Sequence, residues 1–181
     1  DLVGFTGLAE ARDPEQVKVL VDRCFEALVA DIHSFGGRVD KIVGDAIVAL
    51  FGAPVAHEDD PERAVRAALR MQETLRERVP DLSAPVQMRV GVNTGEVLVG
   101  ALRAGGDYTA MGDVVNTASR LQTAAEPGQV LVGAATHAAT DDVIEYEPVG
   151  RLSVRGRGDA VEAFRATATV APPGHRDRDT R

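Results

Sequence analysis

Two aspartates, Asp1 and Asp45, are the side chains whose types and settings in this sequence best suit metal chemistry. Asp45 follows Gly44, where the backbone can bend sharply, and precedes an apolar run, 46–51, that is typical of a short buried strand. Asp1 precedes the glycine turn Val3-Gly4-Phe5-Thr6, whose backbone N–H groups could bind a phosphate. Carboxylates on neighbouring strand ends could hold two Mg²⁺ or Mn²⁺ ions with a triphosphate, but both aspartates could also simply terminate strands.

Asn116 and Arg120 form a second candidate pair, because they lie four residues apart in a segment with helical periodicity and therefore share one helix face. That face is offset from the apolar stripe of the same segment, which includes Val114, Ala118 and Leu121. An amide and a guanidinium that project together suit recognition of a ribose and of a developing phosphate charge. Ordinary polarity of an exposed helix face is the alternative.

Lys41 and Thr109 could each form a hydrogen bond with the edge of a base, lysine as a donor and threonine as a donor or an acceptor. Taken alone, Lys41 is better explained as a solvated strand residue. Arg155 and Arg157 lie in a glycine-containing turn and could reach a terminal phosphate, although an exposed basic turn explains them equally well.

Three helices are predicted to position these side chains. The first begins at Asp13-Pro14, with aspartate as N-cap and proline at the first position, and ends at Gly36-Gly37. The single cysteine, Cys24, lies on its apolar stripe, which favours a place in the core. The second helix begins near residues 59–62 and is predicted to expose a row of arginines that includes Arg66, and the third begins at Asp113.

Short strands complete the predicted fold. The segment 41–51 reads as a hairpin, and Met88, Val90 and Val92 alternate with Arg89, Gly91 and Asn93 as in a half-buried strand. We expect 94–96 to form a turn and 97–100 to return beside that strand, and we expect further strands at 129–132, 143–149 and 160–166. Helices and hairpins that alternate in this order predict an α+β fold with a mainly antiparallel sheet.

Composition narrows the class of protein. The 181 residues are enough for one domain with a sizeable core, and a net charge of −8 argues against a general nucleic-acid surface. One cysteine and the lack of a signal or transmembrane run predict a cytoplasmic protein without direct membrane contact from this segment. Because no strand precedes Asp1 to fix its position, we expect a longer chain that continues upstream.

Taken jointly, several strings resemble the class III nucleotidyl cyclase catalytic domain. They are 1–6, 41–45, 51–54, 89–95 and 108–121, in the order of that family. The resemblance implies a ferredoxin-like βαββαβ core, with a mainly antiparallel sheet flanked by helices, over residues 1–168. Its first strand would be truncated before residue 1, and residues 169–181 would form a disordered tail.

The resemblance also implies roles for the candidate residues. The aspartates at positions 1 and 45 match the two metal-binding aspartates, which would hold two Mg²⁺ or Mn²⁺ ions. Lys41 and Thr109 match the purine-selecting pair, in which Lys with Thr is similar to adenylyl cyclases and Glu with Cys to guanylyl cyclases. Asn116 and Arg120 match the pair that orients the ribose and stabilises the transition state. Arg157 lies in a turn that often carries a phosphate-binding lysine.

Sites in this family form between two domains packed head to tail, so the resemblance implies a homodimer with two shared sites that convert ATP to cyclic AMP. It also implies fusion to regulatory domains. A guanylyl cyclase and a non-catalytic domain that only binds nucleotide or dimerises are the alternatives. A diguanylate cyclase fits less well, because 35–38 lacks the acidic pair that should follow the glycines.

Overall fold

The computed structural model describes residues 1–4, 13–78, 86–101, 108–153 and 160–173. Its helices are α1 (Pro14–Ser34), α2 (Asp60–Arg78), α3 (Asp113–Ala124) and α4 (Ala134–Ala138). Its strands are β1 (Leu2–Val3), β2 (Arg38–Val43), β3 (Ala46–Leu50), β4 (Gln87–Met88), β5 (Val90–Val92), β6 (Leu98–Ala101), β7 (Tyr108–Met111), β8 (Val130–Gly133), β9 (Ile144–Leu152) and β10 (Val161–Thr169). This mixture confirms the predicted α+β class. Among the described helices, none combines the length and the apolarity needed to cross a membrane.

Helix α1 begins as its sequence predicts. The carboxylate of Asp13 accepts a hydrogen bond of 3.0 Å from the backbone N–H of Glu15, and Pro14 occupies the first helical position. Gly36 takes a φ of 80° just beyond the helix, a conformation that favours glycine. The buried face of α1 includes Cys24, Leu28 and Ile32, so the cysteine belongs to the core as expected.

The strands pair mainly antiparallel. One four-stranded sheet has the order β5-β8-β10-β9, in which only the β5–β8 pair is parallel, and three further pairs are β1–β4, β2–β3 and β6–β7. The prediction that 97–100 returns beside the strand at 88–92 is wrong. Strand β6 pairs with β7, in the register Leu98↔Met111, whereas β5 pairs with the fully buried strand β8.

Helix α2 corrects a second expectation. Arg66 was predicted to be solvated, yet its side chain is buried, and its Nε donates to Glu62 over 2.7 Å. Its Nη2 donates over 2.6 Å to the carbonyl of Ala171. Arg66 is covered because the segment that follows β10 crosses α2. Ordered structure therefore continues past the predicted domain limit at residue 168, whereas residues 174–181 of the predicted tail lie outside the described residues.

Candidate active site

Asp45 lies at the exposed tip of the β2–β3 hairpin. Val43 and Ala46 form the last pair of the ladder, which leaves Gly44 and Asp45 as a two-residue loop. Gly44 has a φ of 61°, whereas Asp45 has no positive φ, and glycine at the first of two central positions is typical of a type II′ turn. The predicted tight turn is confirmed, and it leaves Asp45 exposed.

Asp1 meets this tip through the backbone. The N–H of Leu2 donates a hydrogen bond of 3.0 Å to the carbonyl of Asp45, so β1 ends beside the hairpin loop. The two predicted metal ligands therefore lie at one edge of the fold.

Two side chains hold the carboxylate of Asp1 in place. Its Oδ2 atom accepts a hydrogen bond of 2.7 Å from Nη2 of Arg89 and one of 3.3 Å from Nε2 of Gln122. The Nε atom of Arg89 is buried and has no hydrogen-bond partner within the part of the chain that is described. The guanidinium of Arg89 thus pairs with Asp1 at the edge where Asp45 also lies, and its Nε donor has no described acceptor.

The polar face of β5 contacts helix α3 rather than solvent. Arg89 reaches Gln122 through their shared acceptor Asp1, and the side chain of Asn93 donates over 3.2 Å to the carbonyl of Val114. Between them, a Cβ atom added at Gly91 would lie 2.1 Å from the carbonyl oxygen of Ala118. The side of the strand that carries Arg89, Gly91 and Asn93 therefore packs against α3 and positions this helix.

Helix α3 carries Asn116 in its first turn and Arg120 one turn further along, and Asn116 is exposed whereas Arg120 is half-buried. Helical geometry places Gln122 about 120° around the axis from Asn116 and about 160° from Arg120. Since Gln122 faces Asp1, the predicted ribose and transition-state side chains face away from the metal edge of their own chain.

The predicted base-reading residues lie on neighbouring strands. Lys41 is on β2, pairs with Val48 of β3 and has a side chain that is 42% exposed. Thr109 is on β7, where it pairs with Gly100. The adjoining residues Asp40 and Ala110 connect the two strands, because the carboxylate of Asp40 accepts a hydrogen bond of 3.2 Å from the N–H of Ala110. The structure therefore brings the backbone positions of Lys41 and Thr109 together.

Other predicted contacts are less complete. Val3 ends β1, and Gly4 has a φ of 105°, which is consistent with a turn at this glycine. Phe5, Thr6 and Arg157 lie outside the described residues, so their predicted phosphate contacts stay predictions. A cavity of about 330 Å³ opens beside Asp1 and runs between β3 and β5 above the apolar face of α2.

The donor set suits a hard divalent cation, because carboxylate oxygens are the ligands that Mg²⁺ and Mn²⁺ prefer. Within the described ranges, no group of three or more His, Cys, Asp or Glu side chains could hold a metal ion. Two protein carboxylates that rely on substrate oxygens for the remaining ligands are consistent with this finding.

Arg89 and Gln122 are the contributors that the sequence did not reveal. Arg89 was assigned only to the polar side of a strand, and Gln122 was given no role. An arginine in a short strand whose same-side neighbour is glycine could have indicated contact with a helix, because glycine permits close approach.

Comparison with known proteins agrees with this geometry. The profile of the family described as "Adenylate and Guanylate cyclase catalytic domain" matches residues 1–165. The chain belongs to this family and is a class III adenylyl/guanylyl cyclase catalytic domain.

Individual relatives include enzymes of both specificities. Adenylate cyclase 1 of Rhizobium meliloti is 31% identical over 179 residues, which cover 94% of this chain and 27% of that relative. The crystal structure of the adenylyl cyclase CyaB from P. aeruginosa has a TM-score of 0.85 at 30% identity and covers 93% of this chain and 90% of that one. The guanylyl cyclase Cya2 has a TM-score of 0.87 at 31% identity, with 96% and 91% covered. The chain thus spans about a quarter of the length of the curated relative.

Proposed function

We propose that this domain is an adenylyl cyclase, which converts ATP to 3′,5′-cyclic AMP and pyrophosphate at two sites shared across a head-to-tail homodimer. The observation that carries the proposal is the meeting of β1 with the β2–β3 loop, where the N–H of Leu2 binds the carbonyl of Asp45. This contact supports the proposal because it brings the two aspartates to one edge of the fold, where Arg89 pairs with Asp1 and a metal-bound triphosphate could be held.

Asp1 and Asp45 would hold two Mg²⁺ or Mn²⁺ ions. When bound, such ions lower the pKa of a coordinated hydroxyl and neutralise phosphate charge. Arg89 already pairs with Asp1 and keeps a buried Nε donor, so its guanidinium can also bind the triphosphate. Backbone N–H groups of the turn that begins at Val3 and Gly4 would bind phosphate oxygens.

The remaining roles fall to side chains on α3, β2 and β7. Asn116 would orient the ribose so that its 3′-hydroxyl attacks the α-phosphorus, while the bond to pyrophosphate breaks. The guanidinium of Arg120 would stabilise the negative charge that grows on the α-phosphate. Lys41 and Thr109 would bind the edge of adenine and so favour ATP over GTP.

The orientation of α3 supports sites that are shared between two chains. One face of this helix touches Asp1 through Gln122, so the side chains of Asn116 and Arg120 project away from the aspartates of the same chain. A second copy, packed head to tail, would bring its own Asn116 and Arg120 to the first copy's aspartates. Both sites would then be complete by symmetry.

An exposed apolar surface lies where such a partner is needed. We call it the β2/β6/β7 surface; it consists of Ile42, Val43, Leu98, Val99 and Met111, whose exposed fractions are 52%, 61%, 77%, 39% and 47%. Adjacent exposed apolar side chains mark interaction surfaces in soluble proteins. Ile42 and Val43 share β2 with Lys41, Met111 shares β7 with Thr109, and β6 pairs with β7, so dimerisation and base binding would involve the same group of strands.

The proposal is tested by incubating the purified, dimeric protein with Mn²⁺ and either ATP or GTP, and by separating the products. We expect cyclic AMP from ATP and much less cyclic GMP from GTP. Faster turnover of GTP would identify a guanylyl cyclase, which is the alternative that the similarity to the guanylyl cyclase Cya2 supports. An intact dimer that yields neither product would refute catalysis and favour a nucleotide-binding regulatory domain.

Mixing two inactive variants tests the shared sites. Asp45→Ala and Arg120→Ala should each lose at least about 10²-fold in kcat, since each removes one indispensable group from both sites. A 1:1 mixture should recover about a quarter of wild-type activity, because half of the randomly assembled dimers contain one intact site out of two. If heterodimers form, as shown by differently tagged chains, but activity does not return, the sites are not shared.

A further inference from the structure

Asp40 occupies an irregular position in the ladder between β2 and β3. Val39 pairs with Ala49 and Lys41 pairs with the next residue, Val48, so the register shifts at Asp40, which is the extra residue of a bulge in β2. A bulge bends its strand and directs one side chain away from the regular alternation. Here, the redirected residue immediately precedes the proposed base-reading lysine.

The bulge turns the side chain of Asp40 toward β7 and buries it. This side chain is 0% exposed, although a carboxylate is costly to bury unless it is paired or hydrogen-bonded. Its Oδ2 atom accepts the hydrogen bond of 3.2 Å from the N–H of Ala110, and the same atom lies 4.0 Å from Nζ of Lys41. Ala110 is itself 2% exposed, so this contact is shielded from water.

We propose that Asp40 is a positioning residue that sets the selectivity of this domain for ATP over GTP. Asp40 directly precedes Lys41 and Ala110 directly follows Thr109, so the hydrogen bond between Asp40 and Ala110 links the two base-reading positions. The inference rests on the proposed function and adds to it a residue that does not touch the base.

Small displacements matter at such a site. Recognition groups must be held within about 0.5 Å of their productive positions, and a displacement of about 1 Å can cost up to about 10²-fold in rate. If the bond between Asp40 and Ala110 is removed, β2 and β7 can separate by such an amount. The carboxylate also attracts the ammonium of Lys41, which limits the directions in which that side chain points.

The test compares kcat/KM for ATP and for GTP in Asp40→Ala, Asp40→Asn and the wild type, all as dimers. We expect Asp40→Ala to reduce the ATP:GTP ratio at least about tenfold, mainly through a higher KM for ATP. Asp40→Asn keeps a carbonyl oxygen that can accept from Ala110, so its ratio should stay within about threefold of the wild type. If Asp40→Ala fails to fold, Asp40→Leu replaces the carboxylate by an apolar group of similar size and should lower the ratio as much.

Asp60→Ala provides the matched control. Asp60 is also a buried aspartate that accepts a backbone N–H bond, from His57, but it lies at the start of α2 and away from the base-reading strands. This control should lower thermal stability without changing the ATP:GTP ratio. An unchanged ratio in Asp40→Ala, or equal losses of ratio in Asp40→Asn and Asp40→Ala, would overturn the proposal.

The two proposals fail in distinguishable ways. Wild-type protein that binds nucleotide but forms no cyclic product refutes the cyclase proposal. In that event, displacement of a fluorescent ATP analogue by ATP and by GTP gives the affinity ratio of the same variants, and the expectations for Asp40 are unchanged. Wild-type protein that binds neither nucleotide overturns both proposals.

Discussion

Addition of one methyl group at Gly91 should separate β5 from helix α3. In Gly91→Ala, the new Cβ atom would lie 2.1 Å from the carbonyl oxygen of Ala118 and 2.5 Å from the backbone nitrogen of Gln122. Both atoms belong to the backbone of a helix, so no rotation of a side chain can relieve the overlap.

The size of the effect follows from these distances. Ordinary contact begins at 3.4 Å, so strand and helix must separate by about 1.3 Å. Overpacking of this kind typically costs about 1–3 kcal/mol, and the upper end applies here because backbone meets backbone. A loss of about 3 kcal/mol lowers the Tm of a domain of this size by about 6–12 °C. Because α3 carries Asn116 and Arg120, kcat should fall about 10²-fold as well.

Thermal unfolding and steady-state cyclase assays, carried out well below the lower Tm, measure the two effects separately. Gly100→Ala is the control for stability, since a Cβ atom at this strand glycine would meet no described atom within 4 Å. Its Tm should equal that of the wild type or exceed it slightly, because alanine restricts the unfolded chain. If Gly91→Ala melts within about 2 °C of Gly100→Ala and retains wild-type kcat, the close contact between β5 and α3 does not position the site.

Three further predictions concern base selection, a buried ion pair and the response to high pH. Lys41→Glu combined with Thr109→Cys should lower kcat/KM for ATP at least about tenfold, because the donors for adenine are lost, and unchanged ATP turnover would contradict base reading by this pair. Arg66→Met should lower the free energy of unfolding in urea by about 3 kcal/mol, because it leaves the buried Glu62 without its cation, and addition of Glu62→Leu should recover most of the loss. Burial raises the pKa of Tyr146 to about 12, so the unfolded chain ionises first and stability is lost as pH rises from about 10 to 12. Tyr146→Phe should remove this part of the pH dependence. If the urea midpoint changes with pH in the same way in the wild type and in Tyr146→Phe, ionisation of Tyr146 does not cause the loss of stability.

Local sequence rules predicted the elements whose causes are local. Asp13, Pro14 and the two glycines after α1 determine where that helix begins and ends. The Gly44-Asp45 loop follows from the need for a positive φ at the first central position of a tight hairpin turn. In both cases, the conformation depends on residues that are neighbours in the chain.

Features that depend on distant parts of the chain escaped the same rules. Nothing near Arg66 indicates that the segment around Ala171 covers it. The strand at Leu98–Ala101 follows a plausible turn, yet a buried strand from later in the chain occupies the place beside β5. Register and partner choice between strands are set by tertiary packing, which the alternation of apolar and polar residues along one strand does not reveal.

The candidate site divides in the same way. Residue types and spacing predicted Asp1, Asp45, Asn116 and Arg120 as candidate chemical groups, the resemblance to the family added Lys41, and all of these roles stay predictions. The residues that fix their positions were not identified, because Arg89, Gln122 and Asp40 act through contacts with partners far away in sequence.

The hydrogen bond between Gln122 and Asp1 has a consequence for communication between two active sites. In the proposed dimer, Asp1 belongs to one site while the opposite face of α3, on the same chain, belongs to the other. If a metal-bound nucleotide at the first site shifts the carboxylate of Asp1, the hydrogen bond to Gln122 would shift helix α3, which contributes to the second site. The sites would then bind substrate cooperatively, and thermodynamic linkage requires that each affect the other equally. A Hill coefficient different from one would thus depend on the side-chain amide of Gln122, which connects helix α3 to Asp1.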